Sequence, residues 1–168
     1  MGCEEFWEAL GNGLKGDYYE SNSKKDYPEY GDIIAVDRTL YYHYGIYVND
    51  NQIIHYAPYN GEPIIHVASL KVFLDGNVEF YICNCPKLPA FLGTIPDPIM
   101  AFLSDYKLYT PKETVNRAKG MIGDVYNKYN LLANNCEHFS YWCKTGIKES
   151  LQSFNFLKAI RFDKVKIN

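Results

Sequence analysis

Short apolar, β-rich runs fill the first half of the chain, and helix-spaced apolar residues follow in the second. Ile33, Ile34, Ala35 and Val36 make a short β-branched run that predicts a buried strand. Residues 43–48 and 52–57 flank Asn49-Asp50-Asn51, which reads as a hairpin with a three-residue loop. Residues 64–67 predict a weaker strand and 78–83 a further one. Residues 86–103 are apolar but interrupted by Pro89, Pro96 and Pro98, which predicts an irregular connection with one helical turn near Met100. Thr110-Pro111-Lys112-Glu113 then combines a capping Thr, a Pro at the first helical position and a Glu at the third. Val115, Ala118, Met121 and Ile122 continue at helical spacing until Gly123. A second helix is expected to start at Asn134 or Asn135 and run through Phe139 and Trp142 to Lys144, with Gly146 past its end. Residues 4–10 predict a short helix stopped by Gly11 and Gly13, and 15–29 a polar loop. The fold class is therefore α+β, an antiparallel sheet packed against helices.

The length of 168 residues suits one compact domain. Apolar residues make up 47% and charged residues 22%, which excludes a disordered chain. A net charge of −3 gives no basic field for nucleic acid. Residues 1–15 carry Glu4, Glu5 and Glu8 without a long apolar core, so no signal peptide is expected, and no apolar stretch is long enough for a transmembrane helix. The five cysteines, Cys3, Cys83, Cys85, Cys136 and Cys143, then read as reduced thiols of a cytoplasmic protein.

Cys136 carries the most chemical interest. Following Asn134-Asn135, it is expected in the first helical turn, where unpaired amides and the helix dipole favour a thiolate. His138 is two residues away, a rotation of about 200°, and points elsewhere. His66 reads as structural or surface. His43 and His55 differ, because a three-residue loop makes facing residues sum to 100. Gly45 then faces His55, with His43 its diagonal neighbour on the same face; a two-residue loop would separate the histidines. A thiolate, an imidazole base and a group orienting that base suffice for nucleophilic catalysis. The alternative is a buried cysteine and two sheet histidines. Cys83-Asn84-Cys85 is too closely spaced for a usual zinc site, and no phosphate loop or basic–aromatic motif occurs.

Several segments resemble the lecithin:retinol acyltransferase domain family. They are Tyr30-Gly31-Asp32-Ile33-Ile34, Arg38-Thr39-Leu40, His43-Tyr44-Gly45-Ile46-Tyr47-Val48, Ile54-His55-Tyr56-Ala57-Pro58 and Asn134-Asn135-Cys136-Glu137-His138-Phe139. The exit Trp142-Cys143-Lys144-Thr145-Gly146 fits as well, while residues 60–110 match poorly. The resemblance implies a permuted papain-like (NlpC-type) fold, with a catalytic domain at 29–148, an extension at 1–28 and a basic amphipathic tail at 149–168. It implies Cys136 as nucleophile, His43 as base and His55 as the residue orienting it. Tyr129, seven residues before Cys136, would support the oxyanion. The implied reaction is cleavage of a glycerophospholipid acyl ester through a thioester on Cys136, passed to water, an alcohol or an amine, without metal or cofactor. Phospholipid would be the partner, met by peripheral contact through residues 88–103 or the tail. A cysteine peptidase or amidase on the same fold, and a catalytically silent binding module, are the rival expectations.

Overall fold

The computed structural model describes residues 23–87, 106–124, 132–147 and 160–168, with only the backbone of 132–135. The predicted helix at 4–10, the connection at 88–103, Tyr129 and tail residues 151–159 lie outside the described residues.

Six antiparallel strands form one sheet: β1 (Ile33–Asp37), β2 (Tyr42–Asn49), β3 (Gln52–Tyr59), β4 (Glu62–Ala68), β5 (Glu79–Asn84) and β6 (Arg161–Lys166), in the order β4-β3-β2-β1-β5-β6. The helices are α1 (Leu70–Leu74), α2 (Pro111–Gly120) and α3 (Leu132–Thr145). The α+β class and the antiparallel sheet are as the sequence pattern predicts.

Alternation along the strands divides the core into two layers. On one face Ile33, Ala35, Tyr44, Ile46, Ile54 and Tyr56 pack against α2 and α3 through Val115, Ala118, Cys136, Phe139 and Tyr141. On the other, Ile34, Val36, Tyr47, Ile53, Phe80 and Ile82 pack against Leu70, Phe73 and Leu74 of α1. The helix α1 has no counterpart in the sequence prediction, because five residues are too few to show a period. Ser69 caps it by accepting from the Val72 N–H at 3.3 Å. Arg38 closes its other end, donating to the carbonyls of Phe73 and Leu74 at 2.6 and 3.0 Å.

The helix α2 begins with the expected capping box between Thr110 and Glu113. It stops at Gly120, before the predicted Gly123; Gly123 turns at φ 90° and its N–H bonds to the Ile65 carbonyl of β4 at 2.8 Å. Arg117 ties α2 to α3, lying over the rings of Tyr109 and Trp142 at 4.2 and 3.9 Å and donating to the Trp142 carbonyl.

The segment expected to be a basic tail is corrected from residue 161 onward. Arg161–Lys166 pairs with β5 from Glu79↔Lys166 to Asn84↔Arg161, burying Val165 in the α1-side core. Arg161 pairs with Asp163 at 3.1 Å and Lys164 with Glu79 at 2.6 Å. Threefold spacing of apolar residues hid the twofold alternation that follows it.

Gly31 joins the layers. It sits at φ 85° just before β1, donates to the Tyr47 carbonyl and accepts from the buried Lys144 ammonium at 3.1 Å. A Cβ here would stand 2.5 Å from Pro111 Cα, a backbone atom at the start of α2. Gly31→Ala is therefore expected to destabilise the domain by about 2 kcal/mol or more, from backbone conformation and overpacking together. Urea denaturation checks this; an unchanged midpoint would contradict the packing described.

Candidate functional site

Asn49 pairs with Gln52, so the hairpin loop is two residues long rather than the expected three. A register shift between Tyr47 and Asn49 then restores the sum of 100, giving Tyr47↔Ile53, Ile46↔Ile54 and Gly45↔His55. The bulge supplies the extra residue that the loop lacks. His43 and His55 consequently share a face, and His43 Nε2 lies 2.8 Å from His55 Nδ1. Their neighbour Gly45 leaves room for this. A Cβ there would meet Phe73 at 2.9 Å and Ile53 at 2.8 Å. Phe73 lies against both imidazoles, with ring centroids at 5.0 and 5.6 Å.

Cys136 belongs to the other layer. The helix α3 begins at Leu132, so Cys136 is its fifth residue rather than part of the first turn as expected, and Asn134 and Asn135 are helical rather than caps. Its Sγ reaches the edge of β2, donating to the Tyr42 carbonyl at 3.9 Å. The N–H of Tyr44 also points at the sulfur, as do those of Cys136 and Glu137. Tyr47 donates to the carbonyl of Asp32, the residue before β1, so the backbone groups of odd residues of β2 face β1 and those of even ones face β3. The β2–β3 ladder ends at Gly45↔His55. The thiol thus takes the backbone groups on either side of His43 where β3 no longer does.

Burial sets the electrostatics. It pushes the Cys136 thiol up to about 11, outweighing the backbone N–H groups that favour the thiolate. The thiolate expected from the helix terminus alone is therefore not the resting form. Burial, helped by the Arg38 charge, lowers His43 to about 4. Burial and the neighbouring His43 lower His55 to about 2. Thiol and imidazoles all rest neutral near pH 7. Glu137, next to the thiol, is buried and raised to about 7 by desolvation, and its Oε1 has no hydrogen-bond partner among the described residues.

The sequence reading passed over two contributors. His66 was expected to be structural or surface; it lies directly opposite His55 on β4, with ring centroids 4.4 Å apart. Arg38 joins His43, His55, His66, Tyr41 and Asp75 around a cavity of about 320 Å³ on the α1 side. The β3–β4 register carries the signal for His66, since paired residues there sum to 121. Asp37, unexplained by the sequence, accepts the Thr39 N–H at 2.7 Å and holds Thr39 at φ 71°. His138 is half-buried on α3. Cys83, Cys85 and Cys143 are buried in the α3-side layer. Among the described residues no group of three or more His, Cys, Asp or Glu is placed to hold a metal ion, and no helix is long and apolar enough to cross a membrane.

Comparison with known proteins places these features in context. Rat lecithin retinol acyltransferase is 30% identical over 149 residues, covering 78% of this chain and 60% of the relative. The mouse protein of that name is 31% identical over 155 residues, covering 82% and 61%. Human phospholipase A and acyltransferase 1 is 28% identical over 136 residues, covering 79% and 76%. The chain thus spans about three fifths of the length of the lecithin retinol acyltransferases it matches. The family profile described as Lecithin retinol acyltransferase matches residues 26–149. Taken with the sheet and its helices, this match establishes that the chain belongs to the lecithin retinol acyltransferase family, with the NlpC-like fold that membership implies.

Proposed function

We propose that the protein is a thiol-dependent acyltransferase or phospholipase A that cleaves a fatty acyl ester of a glycerophospholipid through a thioester on Cys136. The observation that carries this reading is the hydrogen-bonded His43–His55 pair together with a thiol that reaches the backbone next to His43, at the Tyr42 carbonyl. Membership of a family that includes lecithin retinol acyltransferases and phospholipase A and acyltransferases supports the ester as substrate.

In this mechanism Cys136 is the nucleophile. His43 takes the thiol proton as the sulfur attacks the ester carbonyl. His55 occupies His43 Nε2 and leaves Nδ1 to exchange protons with the reacting groups, so it fixes the tautomer and tilt of the base. The carbonyl π electrons move to the oxygen, and the resulting oxyanion is held by backbone N–H groups beside the sulfur. Tyr129 is assigned the same task by the family resemblance. The C–O bond then breaks, His43 returns its proton to the departing lysolipid oxygen, and the acyl group remains on sulfur. Water, an alcohol or an amine repeats the sequence in reverse, with His43 deprotonating it and the thiol as leaving group. Because thiol and imidazole begin neutral, proton transfer accompanies attack rather than preceding it. The domain is assigned to work at the surface of a lipid bilayer, where its substrate resides.

Incubation with phosphatidylcholine liposomes is expected to add a fatty acyl mass to the wild-type chain and none to Cys136→Ser. A wild type with no adduct, no lysolipid and no fatty acid released would overturn the lipid reading in favour of a peptidase or a silent binding module. The pH dependence is a second check. With His43 lowered to about 4 and the thiol raised to about 11, kcat/KM is expected to stay level from roughly pH 8 to pH 5. A base of ordinary value, about 6.5, would lose roughly thirtyfold over that range.

A further inference from the structure

The α3-side face of the sheet carries a second feature next to the thiol. Tyr42, Tyr81 and Phe162 line a shallow cavity of about 250 Å³. Register puts all three rings on one face. Tyr42 lies on the same side of β2 as Tyr44, Tyr81 pairs with Ala35, and Phe162 pairs with Cys83. Their centroids follow one another at 5.9 and 6.3 Å, each junction edge-to-face. Tyr42 and Phe162 are 43% and 42% exposed, unusual for aromatic rings on a core-facing side of a sheet.

The position of this shelf gives it meaning. Tyr42 is shared: its carbonyl accepts from Cys136 Sγ, and its ring opens the shelf. An acyl group on that sulfur therefore starts where the row of rings starts. The row leads across β1 and β5 to β6, away from the polar cavity of Arg38, His43 and His66 on the opposite face. An apolar strip beginning at a nucleophile, with polar groups on the other side, suits an alkyl chain.

We propose that Tyr42, Tyr81 and Phe162 form the acyl-chain subsite of this enzyme. The proposal rests on the thioester reading above and adds where the chain lies and how much of it is recognised. The shelf runs for at most about 12 Å from the first ring to the last. A staggered chain advances roughly 1.2 Å per bond, as an extended peptide does over its three bonds per residue, so about ten carbons lie along the shelf. Longer chains continue past Phe162 and add no discrimination.

The test uses the full chain and saturated p-nitrophenyl esters from acetate to palmitate, each below its aggregation concentration. The readout is the rate at which Cys136 is acylated. In the wild type this rate is expected to rise from two carbons to about ten and then level. Phe162→Ala and Tyr81→Ala are expected to slow dodecanoate transfer about five- to tenfold while acetate transfer stays within twofold. Both positions are on strand faces without helix cover among the described residues, and thermal melting verifies that each variant is folded. If one fails to fold, the other carries the test. An equal loss for acetate and dodecanoate, or no loss for either, overturns the subsite. So does weaker vesicle binding with an unchanged chain-length profile, which would make the patch a membrane contact. If no ester, acetate included, acylates the wild type, the thioester reading itself fails and takes the subsite with it; acetate needs no shelf, so the two failures are distinguishable.

Discussion

The site depends on one extra residue between Tyr47 and Asn49. Side chains of a strand alternate strictly, so a register step of one would turn His55 away from His43. The two-residue turn at Asp50-Asn51 alone imposes the wrong parity, and the bulge reverses it. Everything on the α1 side follows: Gly45 opposite His55, Phe73 against both rings, and Arg38 reaching over from the end of β1 to hold the helix that carries Phe73. The layer of α3 depends on the same parity, because it sets which backbone groups of β2 remain for the thiol.

The two layers also divide the chemistry. The His43 ring lies on the α1 side with Phe73 and Cys136 belongs to the α3 layer, and the thiol reaches the backbone next to His43, at the Tyr42 carbonyl, where the β2–β3 ladder ends. A thiol seated on backbone groups is positioned by the strand rather than by the side chains of its own layer. The polar cavity of the histidines and the aromatic shelf consequently occupy opposite sides of the sheet, with Cys136 on the side of the shelf.

Much of this was legible from residue patterns alone, for identifiable reasons. The existence of the β2–β3 hairpin, the Thr110–Glu113 box and strands β1, β3 and β5 rest on local rules that act within a few residues, whereas the hairpin register comes out as expected only because a bulge replaces the expected loop residue. What escaped were features decided by partners distant in sequence. The bulge, the turn of α1 held by Arg38, and the pairing of Arg161–Lys166 with β5 each need a contact the local pattern does not contain. The thiol was misjudged for a related reason. Its place near a helix start argues for a thiolate, yet the depth at which α3 packs on β2 and β3 decides in favour of the neutral form.

Burial of Glu137 has a consequence for how the fold meets acid. In the unfolded chain His43 and His55 take up protons near pH 6.5, while in the fold they resist until about 4 and about 2, so each erodes stability as pH falls below 6.5. Glu137 works in the opposite sense. Its carboxyl is neutral in the fold up to about 7 but ionises above 4.5 once unfolded, so it adds stability as pH falls from 7 to 4.5. Between 4.5 and 6.5 one histidine's loss is offset and the other's remains, a slope of about 1.4 kcal/mol per pH unit where two histidines alone would give twice that. A carboxyl hidden beside the Cys136 thiol thereby acts as a counterweight, letting a domain with two uncharged histidines at its centre tolerate mild acid.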